Sequence, residues 1–126
     1  MFYGCDILHT IKISKVIDVQ TQEILTELQS VLIARKAADP DQSYVASLYQ
    51  KGLDHILKKV GEESSEVIIA AKSGDSSALV KEVADLWFHC MVLLVDKELG
   101  VQDVLLELDG RFGVSGLEEK ANRKQS

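Results

Sequence analysis

Gly61-Glu62-Glu63-Ser64-Ser65-Glu66-Val67-Ile68-Ile69-Ala70-Ala71 reads as helix, yet one of its three glutamates falls where the apolar stripe should run. Leu53, Ile56, Leu57, Val60, Val67, Ile68 and Ala71 share one side of a segment running from about Leu53 to Lys72. Glu63 lies three residues after Val60 and four before Val67, and so on that side. At ~100° per residue the three glutamates occupy a wedge of ~100°, and Lys59 projects within ~20° of the line of Glu66.

The next helix is expected over roughly Ser77 to Glu98, after a turn at Ser73-Gly74-Asp75 with Asp75 or Ser76 as cap. It carries Glu82 and Asp85 on one side, with His89 four residues further on. Glu66 stands eight residues before Gly74 and Glu82 eight after it; Glu63 and Asp85 stand eleven before and after. In an antiparallel hairpin rising ~1.5 Å per residue, the acids meet at levels ~12 Å and ~17 Å from the turn. Five carboxylates, Glu62, Glu63, Glu66, Glu82 and Asp85, are thus expected to converge. Like charges so placed repel unless cations fill the gap. Lys59 is the one base well placed on these helices, and all-oxygen ligation suits Mg²⁺, with Mn²⁺ as an alternative. Any single Glu–Lys pair here is ordinary surface decoration; the set is not, because it sits amid apolar residues and is in register across the turn. His89, a lone histidine on an apolar helix, is read as packed and hydrogen-bonded rather than catalytic.

The rest of the chain is helical in character as well. Ile24, Leu25, Leu28, Val31 and Leu32 repeat at helical spacing up to Asp39-Pro40, Ser43 to Tyr49 forms a short helix before Gly52, and Val101 to Phe112 forms another. Ser115-Gly116-Leu117-Glu118 has the form of a capping box. The expected fold is an all-α helical bundle. Residues 1–19 differ: Ile11 and Ile13 alternate with Lys12 and Ser14, and the stretch is expected to be a loosely ordered extension before a domain spanning 20–126. Trp87 to Val95 is apolar beyond what one short bundle needs to cover, so a homodimer is expected.

With 126 residues the chain is one domain by size, and its net charge of −6 offers no basic excess for nucleic acid or an anionic membrane. No apolar run reaches bilayer length, and no signal-peptide pattern opens the chain. Cys5 and Cys90 have no framework spacing, and Cys90 reads as a buried thiol, which fits a cytoplasmic location.

Glu62-Glu63-x-x-Glu66, then fifteen residues, then Glu82-x-x-Asp85 resembles the metal-binding signature of the all-α nucleotide pyrophosphohydrolases, the MazG-like superfamily. Ala34-Arg35-Lys36-Ala37-Ala38-Asp39-Pro40, Ser43-Tyr44-Val45, Lys58-Lys59-Val60-Gly61-Glu62-Glu63 and the closing Arg111-Phe112-Gly113-Val114-Ser115-Gly116-Leu117-Glu118-Glu119-Lys120 are similar to the phosphoribosyl-ATP pyrophosphatase family of histidine biosynthesis. That resemblance covers about Gln20 to Arg123 and leaves residues 1–19 outside it. It implies Mg²⁺-dependent hydrolysis of phosphoribosyl-ATP to phosphoribosyl-AMP and pyrophosphate, one step only, since no fused cyclohydrolase domain is present. It also implies metal ligation by the five carboxylates, with Glu63 the candidate base, and a homodimer with sites near the subunit contacts. Lys59 is the first candidate for the departing phosphates, followed by Arg35, Lys36 and Arg111. Two rivals remain open: a housecleaning nucleoside triphosphate pyrophosphatase of the same superfamily, and a non-enzymatic helical dimerisation module. A di-iron bundle is disfavoured, because the Glu-x-x-His pairs it needs are missing.

Overall fold

Two glycines and two caps divide the middle of the chain into its helices. The computed structural model describes residues 23–112 and 116–124, with 116–119 described by backbone alone. Helix α1 covers 23–34 and tightens into a 3-10 turn at Arg35–Ala37. Next come α2 (Tyr44–Lys51), α3 (Leu53–Ser73), α4 (Ser76–Asp96), α5 (Val101–Asp109) and α6 (Gly116–Arg123). Every element among the described residues is helical, as the periodicity indicates. The strand-like alternation at 11–14, the extension at 1–19 and the capping residue Ser115 lie outside the described residues.

Local chemistry explains the boundaries. Ser43 caps α2 by accepting from the Ala46 amide at 3.2 Å. Gly52 ends α2 at φ 91° and Gly74 ends α3 at φ 76°, left-handed conformations that a side chain would strain. Asp75 then caps α4, its carboxylate accepting from the Ala78 amide at 3.1 Å. α4 stops at Asp96, two residues short of the expected end, because Glu98 adopts a positive φ of 59°. α5 likewise ends at Asp109, and hydrogen-bonded turns carry the chain on to Phe112.

Contacts divide the chain into two compact units, Thr26–Val101 and a second that joins the residues through Leu25 to those from Gln102 onward. In the first, α3 and α4 form a hairpin of two 21-residue helices, and α2 packs on α3. Leu32, Leu48, Ile56 and Val92 are fully buried and form its core with Ala46, Met91 and Val95. Removal of such side chains from water stabilises the fold by ~1.5–3 kcal/mol each. Two polar ties fix α1: the Tyr49 hydroxyl donates to the Leu32 carbonyl at 3.0 Å, and the Gln29 side chain accepts from the Val101 amide at 2.6 Å. Both satisfy backbone groups that helix ends leave without partners. In the second unit, Arg111 donates from Nε and Nη2 to Glu107 at 3.2 and 3.1 Å, one turn back along the chain.

Candidate metal centre

Helical spacing alone puts Glu63 on the inner face of α3, and there it is only 6 % exposed. Its oxygens meet different neighbours. Oε1 accepts from the Lys59 ammonium at 3.3 Å and lies 3.8 Å from His89 Nδ1. Oε2 is buried without a hydrogen-bond partner. A buried carboxylate oxygen left unpaired is costly and rare in folded proteins, so it marks a candidate place for a cation. Glu66 and Glu82 supply what is needed: one carboxylate oxygen from each, with one from Glu63, lie within 4.8 Å of one another. Three oxygen donors converging from two helices fit a hard divalent ion.

The match between Glu66 and Glu82, eight residues either side of Gly74, is one of the two that the hairpin geometry anticipates. Glu62 and Asp85 lie outside this three-residue group. Glu62, whose side chain is 43 % exposed, pairs instead with Lys59 at 3.1 Å and Lys58 at 3.7 Å. Asp85 is half-buried, and its backbone carbonyl is held by the His89 ring.

Lys59 spans Glu62 and Glu63, as its place on the same face anticipates. Its pKa is raised above the ordinary lysine value chiefly by the hydrogen bond to Glu62; burial opposes this, and Glu63 and Tyr44 add to it. The same hydrogen bond holds the Glu62 carboxyl below the usual carboxylate range. An ammonium fixed in its charged form beside the acidic seam can meet phosphate oxygens.

The other predicted cations have other surroundings. Arg35 and Lys36 sit exposed in the 3-10 turn between α1 and α2, and the Lys36 ammonium lies 5.9 Å from the centre of the Tyr49 ring. Arg111 belongs to the second unit, paired with Glu107. His89 is packed and hydrogen-bonded, in agreement with its reading from sequence: Nδ1 lies 2.8 Å from the Asp85 carbonyl and Nε2 3.0 Å from the Tyr44 hydroxyl. Tyr44 is the residue that periodicity alone does not reveal, because the partner that brings it here lies 45 residues away. Cys90 is half-buried, and burial raises its thiol pKa, as in a structural rather than a reactive cysteine.

The chain belongs to the all-helical class, and its central hairpin gathers carboxylates around a buried, unpaired oxygen as a candidate cation site. Comparison with known proteins narrows the class. Residues 25–112 match the family Phosphoribosyl-ATP pyrophosphohydrolase. A phosphoribosyl-ATP pyrophosphatase from Methylococcus capsulatus is 60% identical over 102 residues, covering 81% of this chain and 97% of the relative. Those from Vesicomyosocius okutanii and Burkholderia cenocepacia are 55% and 54% identical over 101 and 109 residues, covering 80% and 83% of this chain and 96% and 90% of theirs. The chain therefore belongs to the phosphoribosyl-ATP pyrophosphohydrolase family.

Proposed function

We propose that this chain hydrolyses phosphoribosyl-ATP between its α- and β-phosphates in histidine biosynthesis, releasing phosphoribosyl-AMP and pyrophosphate. The observation that carries this reading is the buried Glu63 with its unpartnered Oε2, set against Glu66 and Glu82. Mg²⁺, or Mn²⁺ in its place, would be held by these three residues, with Glu62 and Asp85 as the further candidate ligands. A divalent ion there supplies positive charge against the phosphates and makes water more acidic.

The chain's own residues do the rest. Glu63 serves as the base that receives a proton from the attacking water; its inner position and its short distance from Lys59 keep it fixed in place. Lys59 meets the departing phosphates with an ammonium already held by two carboxylates, so little reorganisation is needed as charge builds up. Arg35, Lys36 and Arg111 remain candidates for outer phosphate contacts. Residues 20–126 form the catalytic domain in this reading, and the chain acts in the cytoplasm; no helix among the described residues is long and apolar enough to cross a membrane.

A homodimer is part of the proposal. Ile68 and Ile69 on α3 are 65% and 68% exposed, and Val80 and Trp87, two turns apart on α4, are 70% and 58% exposed. That much apolar surface on one hairpin favours a partner subunit.

The test is direct: purified chain with phosphoribosyl-ATP, with and without Mg²⁺, followed by pyrophosphate release, beside a panel of nucleoside triphosphates. Magnesium-dependent release with a preference for phosphoribosyl-ATP is expected. Preference for the plain triphosphates would favour the housecleaning alternative, and metal-independent inactivity the dimerisation module.

A further inference from the structure

Tyr44, 54% exposed as a residue, opens α2, yet its hydroxyl is spent on a buried histidine. That histidine is held from several sides. His89 is 5% exposed, its Nδ1 lies 2.8 Å from the Asp85 carbonyl, and its ring meets those of Phe88 and Tyr44 edge-on, at centroid distances of 5.2 and 6.1 Å. A carbonyl only accepts, so Nδ1 carries a hydrogen, and a ring with a single proton bears it there. Nε2 is then the acceptor, and the Tyr44 hydroxyl donates to it. The tyrosine's one proton is committed, which leaves its oxygen with lone pairs alone to offer.

This assignment decides what Tyr44 suits. Phosphate oxygens are acceptors and find no donor on Tyr44. A purine amino group or a ribose hydroxyl finds an acceptor, and a flat base finds an exposed aromatic face whose orientation is already fixed. Tyr44 lies at the border of the acidic site: its anchor His89 is 3.8 Å from Glu63 Oε1, and it contributes to the electrostatic environment of Lys59. Resting on the reading of this chain as a pyrophosphohydrolase of a purine nucleotide, we infer that Tyr44 contacts the nucleoside part of the substrate, and that His89 is the positioning residue that holds it there. The carboxylate seam and Lys59 take the phosphates, and Tyr44 takes the base and sugar.

The inference separates two halves of one ligand, so the experiment does the same. Binding of AMP and of pyrophosphate to the full chain in Mg²⁺ is measured by calorimetry. Tyr44→Ala is expected to weaken AMP about tenfold or more, the usual worth of a base–aromatic contact, and to leave pyrophosphate unchanged. Tyr44→Phe, which keeps the ring but loses its anchor, should weaken AMP by less. His89→Asn keeps a donor for the Asp85 carbonyl and loses the acceptor for Tyr44, so it should match Tyr44→Phe and add nothing to it in the double variant. His89→Gln restores an acceptor at the Nε2 position and should recover AMP affinity, a rescue that a purely structural role would not give. Unchanged AMP affinity in Tyr44→Ala, equal losses for AMP and pyrophosphate, or no AMP binding by the wild type would each overturn the assignment. These readouts do not depend on turnover: a wild type that binds AMP through Tyr44 but leaves phosphoribosyl-ATP intact would sink the proposed reaction and leave the Tyr44 contact standing.

Discussion

Helix α3 is amphipathic with an exception on each face: it buries Glu63 beside Ile56 and Ala70, and it exposes Ile68, which the sequence pattern places on the apolar side although five residues of helix turn it away from Glu63. Its inner face buries Glu63 to 6% exposure, and its outer face leaves Ile68 and Ile69 65% and 68% exposed. Each arrangement is unfavourable in an isolated chain, since a carboxylate loses its hydration and two large apolar groups keep theirs. The two faces therefore call for different partners. On the function proposed above, a cation would complete the three-carboxylate group inside, and a second subunit would cover the apolar surface outside. If function occupies one face and assembly the other, substitutions on each should fail in distinct ways.

The largest effect is expected on the inner face. Glu63→Gln keeps the shape and removes the charge that faces Glu66, Glu82 and Lys59. Turnover of phosphoribosyl-ATP should fall by about 10²-fold or more, with Mn²⁺ affinity reduced in an electron paramagnetic resonance titration and the helical circular dichroism unchanged. Retained turnover would remove the inner face from the chemistry. On the outer face, Trp87→Ala should weaken the homodimer about thirtyfold, the scale of an interfacial hot spot, as measured by sedimentation equilibrium, while the subunit stays folded. A wild type already monomeric at micromolar concentration would break this half of the comparison.

How far the sequence reaches follows the same division. Helix ends and the Glu66–Glu82 level were legible because they depend on backbone rules: Gly74 must end α3, Asp75 can cap α4, and rise per residue fixes height along a hairpin. Which carboxylates close on one point was not legible, because it depends on side-chain reach and on competing partners. Glu62 shares the wedge of Glu63 and Glu66, yet Lys58 and Lys59 draw it to the rim. Asp85 sits at the height of Glu63 and lies outside the three-residue group, while its backbone carbonyl meets the His89 ring. Tyr44 stood in the sequence only within the Ser43-Tyr44-Val45 resemblance and without a role: its position depends on how α2 packs, and no period in the sequence encodes the contact with His89.

A gentler substitution at the same position sharpens the contrast between stability and activity. Glu63→Met fills a similar volume without a buried charge, and Lys59 keeps Glu62 as a partner. Replacing a buried ionic group by a well-packed apolar one is often neutral or stabilising, so in the absence of metal this variant should melt at the wild-type temperature or higher, gaining up to about 1–2 kcal/mol. It should have no measurable turnover. Marked destabilisation would mean that Glu63 serves the fold as well as the reaction.

The smallest effect concerns a group that belongs to neither face. Tyr49 donates to the Leu32 carbonyl, and burial, with help from Asp96, pushes its pKa up from 10.0 to about 12. The folded state therefore keeps its proton longer than the unfolded chain does. Below pH 10 both states hold it, and its contribution to stability is complete; between pH 10 and 12 the unfolded chain ionises first, and the contribution is lost. Because Tyr49 is only half-buried, solvent screening limits that loss to no more than about 1 kcal/mol. Tyr49→Phe should cost about 1 kcal/mol at neutral pH through the missing hydrogen bond. Urea denaturation at a series of pH values should then show the gap between wild type and variant closing as pH rises past 10. A gap that stays constant to pH 12 would mean that the hydroxyl ionises as freely in the folded protein as in the unfolded chain.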